Sequence, residues 1–481
     1  MQFCLLLHAF INATFKLKLL KVKNLPVIEK LIEALGEQKV LSSEKAAERI
    51  ANVYGKARSL DVRALVLPAS TNDVAVTLKI CNEYKQAVVP QGGLSNVVNS
   101  ATANKNEIAI SLEKMNAIKE VDRINQFVEV EAGVILEQLH EKVKESGFIF
   151  PLDLGAKGSC MIGGNIATNA GGLQALRYGV MRNLVLGLEV VLADGTILNN
   201  LNPVLKNNTG YDLKHLFIGS EGTLGIITRA ILKLTPAPAF FSTAFIALEN
   251  FDNSKELLNR AKIFFGDKLT SFEILWPAFY KLLTNENSGN KKVIADNYPL
   301  YVLTEIAGAA ALESQMEIFL ETVLNDNIIV DAVLAQRQED RKQFWQIREK
   351  IDQILIRHNP VFTFDVSLPV SEMEQYVITV DATLKENFDT FYNYAFGHMG
   401  DGNLHLMINC GEENTDAKEL VEKIVYAPLQ SIPSSVSAEH GIGLSKKKWL
   451  SFSRSPEEIA VMRSIKNLLD PNNIMNPGKI F

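Results

Sequence analysis

The spacing of apolar residues along the chain changes character twice. From position 27, Ile28, Leu31, Ile32 and Leu35 recur at three and four and stop at Gly36, which predicts a helix. A second helix is expected over 43–54. Short apolar runs at 65–67 and 87–89, each closed by proline, read as buried strands. Between them, 71–84 predicts a helix with Val74, Leu78 and Cys81 facing inward and Thr71 or Asn72 as its cap. Strands over 108–112 and 127–131 precede a helix over 134–146, whose Leu136, Leu139 and Val143 share one face. The runs 184–192 and 196–198 flank Ala193-Asp194-Gly195, a hairpin signal. A further strand starts at 226 and ends at Thr235-Pro236.

Pro236-Ala237-Pro238 then marks a boundary. Beyond it, strands are expected over 242–248, 270–275, 301–306, 328–334 and 361–368, with helices after Asp252, after Ala311, over 340–356 and over 370–384. Two more strands, 391–397 and 404–409, enclose a Gly-Asp-Gly-Asn turn. This pattern predicts an α+β domain, an antiparallel sheet with helices on one face. The chain changes again near Pro433. The expected division is an N-terminal extension (1–26), a first domain (27–236), a second domain (237–432) and a C-terminal segment (433–481).

The stretch over 151–179 fits neither period. It holds seven glycines, and so many glycines forgo packing and add entropy cost on folding. That is tolerated where bare backbone must approach a ligand, most often a phosphate or pyrophosphate held by successive N–H groups. A plain surface loop is the competing reading. The clustering of Gly158, Gly163, Gly164, Gly171 and Gly172 with Ser159, Asn165, Thr168 and Asn169 favours the cradle. Neither G-x-G-x-x-G at a strand-to-helix turn nor G-x-x-x-x-G-K-[ST] occurs, so a dinucleotide would be held without a Rossmann turn. Two more glycine turns follow strands, at 91–96 and 219–225. Three such loops fit one cofactor lying across several strand ends.

Composition narrows the class. With 481 residues, 47% hydrophobic, two or three domains are expected. A net charge of −6 argues against a nucleic-acid partner. Four widely spaced cysteines form no C-x-x-C and suit a reducing compartment. No apolar run reaches the roughly 18 residues of a membrane span. The first 28 residues hold no acid, and Lys16, Lys18, Lys21 and Lys23 alternate with apolar residues. A loose extension is expected there, with peripheral membrane contact as the alternative. The expected location is cytoplasmic or at the membrane surface.

The sharpest local signal is 396–405, FGHMGDGNLH. His398 and His405 flank a turn between two strands, so cross-strand pairing would aim both imidazoles at one face. Two imidazoles on rigid strands can hold a divalent metal, and Glu439 in SAEHGIG is the third candidate ligand. Two separately buried histidines are the alternative. Three of the seven histidines fall in these two motifs, which favours the metal.

GHMGDGNLH, SAEHGIG, FWQIRE, GSEGTLGIIT and a terminal NPGK, in this order behind PLDLGAKGSCMIGGNIATNAGG, resemble the FAD-linked 2-hydroxyacid dehydrogenases. These are the D-lactate, glycolate and D-2-hydroxyglutarate dehydrogenase group of the vanillyl-alcohol oxidase and p-cresol methylhydroxylase superfamily. The resemblance covers about 60–481. It implies a two-part FAD-binding domain of the p-cresol methylhydroxylase type, an antiparallel-sheet substrate domain and a C-terminal segment that returns to the flavin. It implies FAD contacts at Gly92, Gly93, Ser95, Asn96, Pro151, Ser159, Gly163, Gly164 and Asn165. Glu221, Gly222 and Ile227 would line the flavin or adenine side, and Asn476 would close it. His398, His405 and Glu439 resemble the metal ligands, with zinc the expected ion. His440 resembles the base and Arg348 the grip on the substrate carboxylate. No histidine lies in 91–100, so FAD would be bound non-covalently.

The chemistry implied is oxidation of a D-2-hydroxy acid to a 2-oxo acid. The hydroxy acid chelates the metal, its hydroxyl is acidified, a histidine takes the proton, and hydride leaves Cα for flavin N5. Arg348 offers a planar fork that lysine could not copy, though from spacing a surface pair with Glu349 or Asp352 is as good a reading. The electron acceptor stays open among quinone, cytochrome and electron-transfer flavoprotein, and a homodimer is allowed. The alternative function is an FAD-binding subunit of an electron-transfer complex without catalysis of its own. An oxidase of alcohols or phenols, a third reading, should lack the metal set.

The chain departs from the group in places. Gln91 stands where arginine is usual, and Asn99-Ser100 where Gly-Gly is common. Asp352, Thr363 and Met407 stand where hydroxyglutarate-type members carry threonine, lysine and asparagine. A monocarboxylate is therefore expected over a dicarboxylate.

Overall fold

Helix α1 (Pro26–Leu35) buries Val27, Leu31 and Leu35, as its period predicts. It precedes a four-stranded sheet built from β1 (Val40–Ser42), β2 (Ala64–Val66), β3 (Val88–Gln91) and β4 (Ile108–Ser111), in the order β1-β2-β4-β3. The last three run parallel and β1 runs against β2. The computed structural model describes residues 26–53, 56–285, 288–309, 312–411 and 414–481. The basic segment over 1–25 and Tyr54 lie outside them.

Two expectations in this region are corrected. The helix over 43–54 is one short turn, Ser43–Ala47, and Ile50–Val53 instead pairs with Lys56–Ser59 as a hairpin. Helix α2 (Thr71–Glu83) is capped by Ser70, whose hydroxyl accepts from Asp73 N at 3.1 Å. Thr71 is not free to cap, because its hydroxyl donates to Glu189 at 2.6 Å.

A second sheet is antiparallel throughout. Its strands are β5 (Phe127–Glu131), β6 (Val185–Val191), β7 (Ile197–Asn200) and β8 (Ile226–Lys233), in the order β7-β6-β8-β5. Helix α3 (Leu136–Lys144) buries Leu136, Leu139 and Val143 against the core shared by both sheets. The glycine-rich stretch is not wholly irregular. It contains helix α4 (Ile162–Ala167), whose Ile162 and Ile166 are buried one turn apart. Gly163 lets this turn lie against Ala132, since an added Cβ would stand 2.7 Å from the Ala132 Cβ.

The second half forms a seven-stranded sheet. Its strands are β9 (Phe240–Leu248), β10 (Leu269–Leu275), β11 (Leu300–Gly308), β12 (Asp331–Leu334), β13 (Phe362–Ser367), β14 (Tyr392–His398) and β15 (Asn403–Asn409). The order is β12-β9-β11-β10-β14-β15-β13, and every pair is antiparallel. Helices cover both faces, not one. Ala244, Ile246, Ile274 and Leu406 pack with Phe251–Phe265, Leu312–Asn325, Met373–Asn387 and Thr415–Tyr426. The alternate residues Phe245, Ala247, Leu275 and Met407 pack with Pro277–Leu283, α5 (Gln338–Glu349) and α6 (Asp352–Arg357). The apolar stretches 244–248 of β9 and 300–303 of β11 are the signature of strands buried on both sides. The single helix expected over 340–356 breaks at Lys350 into α5 and α6.

Helix α7 (Pro456–Leu469) starts with a reciprocal capping box between Ser455 and Glu458. Its buried Lys466 donates to Thr223 O at 2.8 Å, to Met475 O at 2.7 Å and to the Asp470 carboxylate. Asp470 in turn accepts from Ile474 N at 3.0 Å and Met475 N at 2.8 Å. The tail so fixed runs beside β3, with Val88 N donating to Ile474 O and Asn476 N to Val88 O, both at 2.8 Å. Lys466→Met leaves Asp470 buried without its cation, so unfolding free energy should fall by about 3–5 kcal/mol. Thermal denaturation reads this as a lower midpoint; an unchanged midpoint would show that the clamp carries no stability.

Candidate active site

A cavity of about 760 Å³ runs between the glycine loops and the seven-stranded sheet. Its wall includes Gly92, Gly93, Ser95 and Asn96 after β3, and Ser159, Gly163, Gly164 and Asn165 around α4. Glu221, Gly222 and Ile227 at the start of β8 complete that side. Across from them stand Arg348, His398, His405, Glu439 and His440. Of the residues singled out from the sequence, Pro151 and Asn476 are set behind this wall. Asn476 is buried, and its amide donates to Ser100 O at 3.0 Å and Glu221 O at 2.7 Å. It braces two loops instead of facing the cavity.

The glycines divide by task. A Cβ on Gly93 would fall 1.8 Å from Ser159 O, and one on Gly172 would fall 2.2 Å from Asp153 O, so these two let chain cross chain. A Cβ on Gly164 would meet nothing within 4 Å, so this wall presents bare backbone to open space. Serines and asparagines surround it; no arginine of these loops lines the cavity, and Lys157 there is paired with Asp153. That is a neutral, hydrogen-bonding cradle of the kind a pyrophosphate takes, and FAD fits it. The Asn99-Ser100 departure keeps the backbone shape: Asn99 takes φ 62°, a region asparagine tolerates.

Glu221 has a structural task that the sequence did not reveal. Its two carboxylate oxygens accept from Ile442 N at 2.8 Å and Gly443 N at 2.9 Å. Burial raises its pKa, which these two bonds oppose. It ties the GSEGTLG loop to the HGIG turn.

His398 and His405 share a sheet face but are diagonal, not direct, neighbours. His398 lies opposite Asn403 and His405 opposite Phe396. Their rings stand 5.3 Å apart at 82°. Glu439 Oε1 lies 3.7 Å from His398 Nε2, and one potential ligand atom from each of the three residues falls within 4.8 Å of the others. His398 Nδ1 is 2.8 Å from Glu273 Oε1. Donation there leaves the Nε2 lone pair facing the trio, the orientation a metal-ligating histidine requires. The His405 imidazole makes no hydrogen bond with the described residues; burial, then the neighbouring His398 and Arg348, drive its pKa well below the ordinary value. A neutral imidazole is the form that binds a metal.

Arg348 pairs with neither Glu349 nor Asp352. It is buried, and its Nε donates to Glu273 Oε2 at 2.8 Å. Its guanidinium lies 4.5 Å above the Phe396 ring, and Nη2 stands 3.4 Å from His398 Nε2. Glu273 therefore serves Arg348 and His398 at once. The sequence reading missed it, although an acid inside the apolar run of β10 was its signal.

Asp365 was missed in the same way. It sits fully buried in β13, opposite His405. Its Oδ1 lies 2.9 Å from His440 Nδ1, and Lys446 donates to it. Oδ2 accepts from the backbone N–H of Ala438, Glu439 and His440 at 3.0, 2.8 and 3.1 Å. Burial alone would raise its pKa, but His440, Lys446 and these N–H groups hold it well below the usual carboxylate range. With Nδ1–H committed to Asp365, His440 has Nε2 free as an acceptor.

Comparisons with known proteins bear on the family and the fold. Residues 62–200 match the FAD binding domain model, and 237–480 match the model of FAD linked oxidases, C-terminal domain. The chain is 39% identical over 451 residues to the mitochondrial D-2-hydroxyglutarate dehydrogenase of Arabidopsis thaliana, covering 93% of this chain and 80% of that protein. It is 41% identical over 421 residues to the Bos taurus enzyme of the same name, covering 87% and 77%. p-Cresol methylhydroxylase with substrate bound superposes with a TM-score of 0.74 at 16% identity, over 94% of this chain and 96% of that one, a likeness of fold. No helix among the described residues is long and apolar enough to cross a membrane. The chain belongs to the FAD-linked 2-hydroxyacid dehydrogenases, oxidoreductases that act on CH–OH groups.

Proposed function

We propose that the chain oxidises a D-2-hydroxy acid to the 2-oxo acid, with FAD held non-covalently and a divalent cation, zinc foremost, held by His398, His405 and Glu439. The observation that carries this reading is one cavity holding the glycine cradle, the three clustered ligand atoms, Arg348 and His440 together. Bound FAD supplies the acceptor for the hydride that leaves C2. A cation in the His-His-Glu set supplies the charge that acidifies the C2 hydroxyl.

The protein's own groups do the rest. The free edge of the Arg348 guanidinium takes the C1 carboxylate as a charge-assisted pair. His440 Nε2 receives the hydroxyl proton, and Asp365 then stabilises the imidazolium through the bond at Nδ1. Phe396, lying beneath Arg348, keeps water from that side. Serine and asparagine side chains with glycine backbone hold the dinucleotide. The division of the chain into 27–236, 237–432 and 433–481 belongs to the same proposal, as does an electron acceptor of quinone, cytochrome or flavoprotein type.

Three outcomes test this reading. The purified protein should be yellow and should release FAD on acid or heat treatment; flavin that stays on the denatured chain would refute non-covalent binding. His398→Ala and Glu439→Ala should each abolish turnover and lose the metal by elemental analysis while the flavin absorbance remains. Full activity of both variants after chelation would rule out the metal. Asp365→Asn should lower kcat by about 10²-fold or more, the scale of a general base held in the wrong tautomer, with FAD content retained. A kcat within twofold of the parent would remove Asp365 from the proton path.

A further inference from the structure

Two rows of side chains cross β14, β15 and β13 on the face that meets the cavity. The first is Phe396, His405 and Asp365; the second, two residues along each strand, is Tyr394, Met407 and Thr363. Two strand residues span roughly 6.8 Å, about the reach of a short carbon chain beyond C2. Met407 and Thr363 line the cavity there, together with Ile351 and Leu355. No member of the second row carries a charge.

Across the whole cavity wall the cations are Arg348 and Lys157. Arg348 has given one edge of its fork to Glu273, and the remainder suffices for one carboxylate. Lys157 is paired with Asp153 at 2.8 Å, and Glu349 and Glu137 also act on its charge. Acids, by contrast, line the same cavity without a cation of their own to spare for a tail. Glu349 and Asp352 both line the cavity, and Asp352, at the start of α6, makes no ion pair among the described residues; its one hydrogen bond is a 3.5 Å contact from Gln353.

We infer that the Met407–Thr363 row is the subsite for the substrate's tail, and that it takes D-2-hydroxy acids with an uncharged, apolar tail and rejects those with a second carboxylate. Met407 supplies the apolar floor, and Asp352, though exposed, supplies like charge against an anionic tail. This assigns a substrate class different from the one in the names of the D-2-hydroxyglutarate dehydrogenases it resembles. The inference rests on the proposed function.

The test uses the flavin- and metal-loaded enzyme with an artificial acceptor. D-Lactate, D-2-hydroxybutyrate and D-2-hydroxyisocaproate are compared with D-malate and D-2-hydroxyglutarate. The best neutral-tailed acid should exceed both dicarboxylates in kcat/KM by about tenfold or more. Calorimetric titration should rank 2-oxobutyrate above 2-oxoglutarate, a binding readout independent of turnover. The double change Asp352→Ala with Thr363→Lys should raise the ratio of kcat/KM for D-2-hydroxyglutarate over D-2-hydroxybutyrate by at least about tenfold. Preference of the parent enzyme for a dicarboxylate would overturn the inference and leave the proposed reaction standing. An unmoved ratio in a double variant that still binds FAD would remove these positions from the subsite. Absence of turnover and binding for every 2-hydroxy and 2-oxo acid would instead defeat the proposed function itself.

Discussion

The charge on Asp365 is the constraint on which the reacting end of the molecule depends. A fully buried carboxylate is costly unless donors surround it, and here they come from one short segment. Three successive backbone N–H groups, the His440 imidazole and Lys446 all belong to the SAEHGIGLSK stretch. The strand carrying Asp365 is part of the rigid sheet, so the loop takes its position from the sheet. Glu439 and His440 are thereby delivered to the two histidines of the neighbouring strands, without a regular element of their own.

The same loop is gripped from the other side. Glu221 accepts from Ile442 and Gly443, and Gly443 passes so close to Val98 that a Cβ would lie 2.2 Å from its carbonyl oxygen. Gly441 and Gly443 both have positive φ, 84° and 51°, which a side chain would strain. The HGIG turn therefore joins the two halves: one buried carboxylate from the sheet domain and one from the glycine-loop domain hold consecutive parts of it. Asn476 and the Lys466–Asp470 clamp secure the Glu221 loop from behind. A path of buried polar contacts thus runs from the C-terminal tail to His440.

Much of this was legible in the chain and some was not, for physical reasons. The clustering of His398 with His405 was readable because histidines are rare here and fall at a strand–turn–strand pattern whose geometry is nearly fixed. The alternation of β13 to β15 also placed them on one face, though as diagonal neighbours. Asp365 and Glu273 escaped because a lone acid in an apolar strand says nothing about its partner, and both partners lie far along the chain. The partner of Arg348 escaped for the same reason: spacing offered Glu349 and Asp352, while helix α5 turns Arg348 inward with Phe344, Trp345 and Ile347. The helices on both sheet faces were foreshadowed by the apolar stretches 244–248 of β9 and 300–303 of β11 that the one-faced prediction underweighted. The hairpin at Ile50 lay beyond local pattern, since pairing overrides helix propensity in so short a run.

Rigidity is distributed so that Arg348 and Asp352, on the same cavity wall, differ in how firmly they are held. Helix α5 is pinned at both ends. Near its start, Arg341 makes two bonds to Glu305, at 2.6 and 2.8 Å, and Trp345 adds a third at 2.9 Å. Thr243 satisfies Glu305 further at 2.6 Å. Near its end, Glu273 holds Arg348. The helix then breaks at Lys350, and Asp352 lies past the break, exposed and outside that network. Changes at Asp352 or Thr363 therefore cost little of the buried polar structure, whereas a change at Arg348 or His398 strips the buried Glu273 of one of its two partners. A scaffold built this way can vary at Asp352 and Thr363 while Arg348, the His398–His405–Glu439 cluster and His440 keep their geometry.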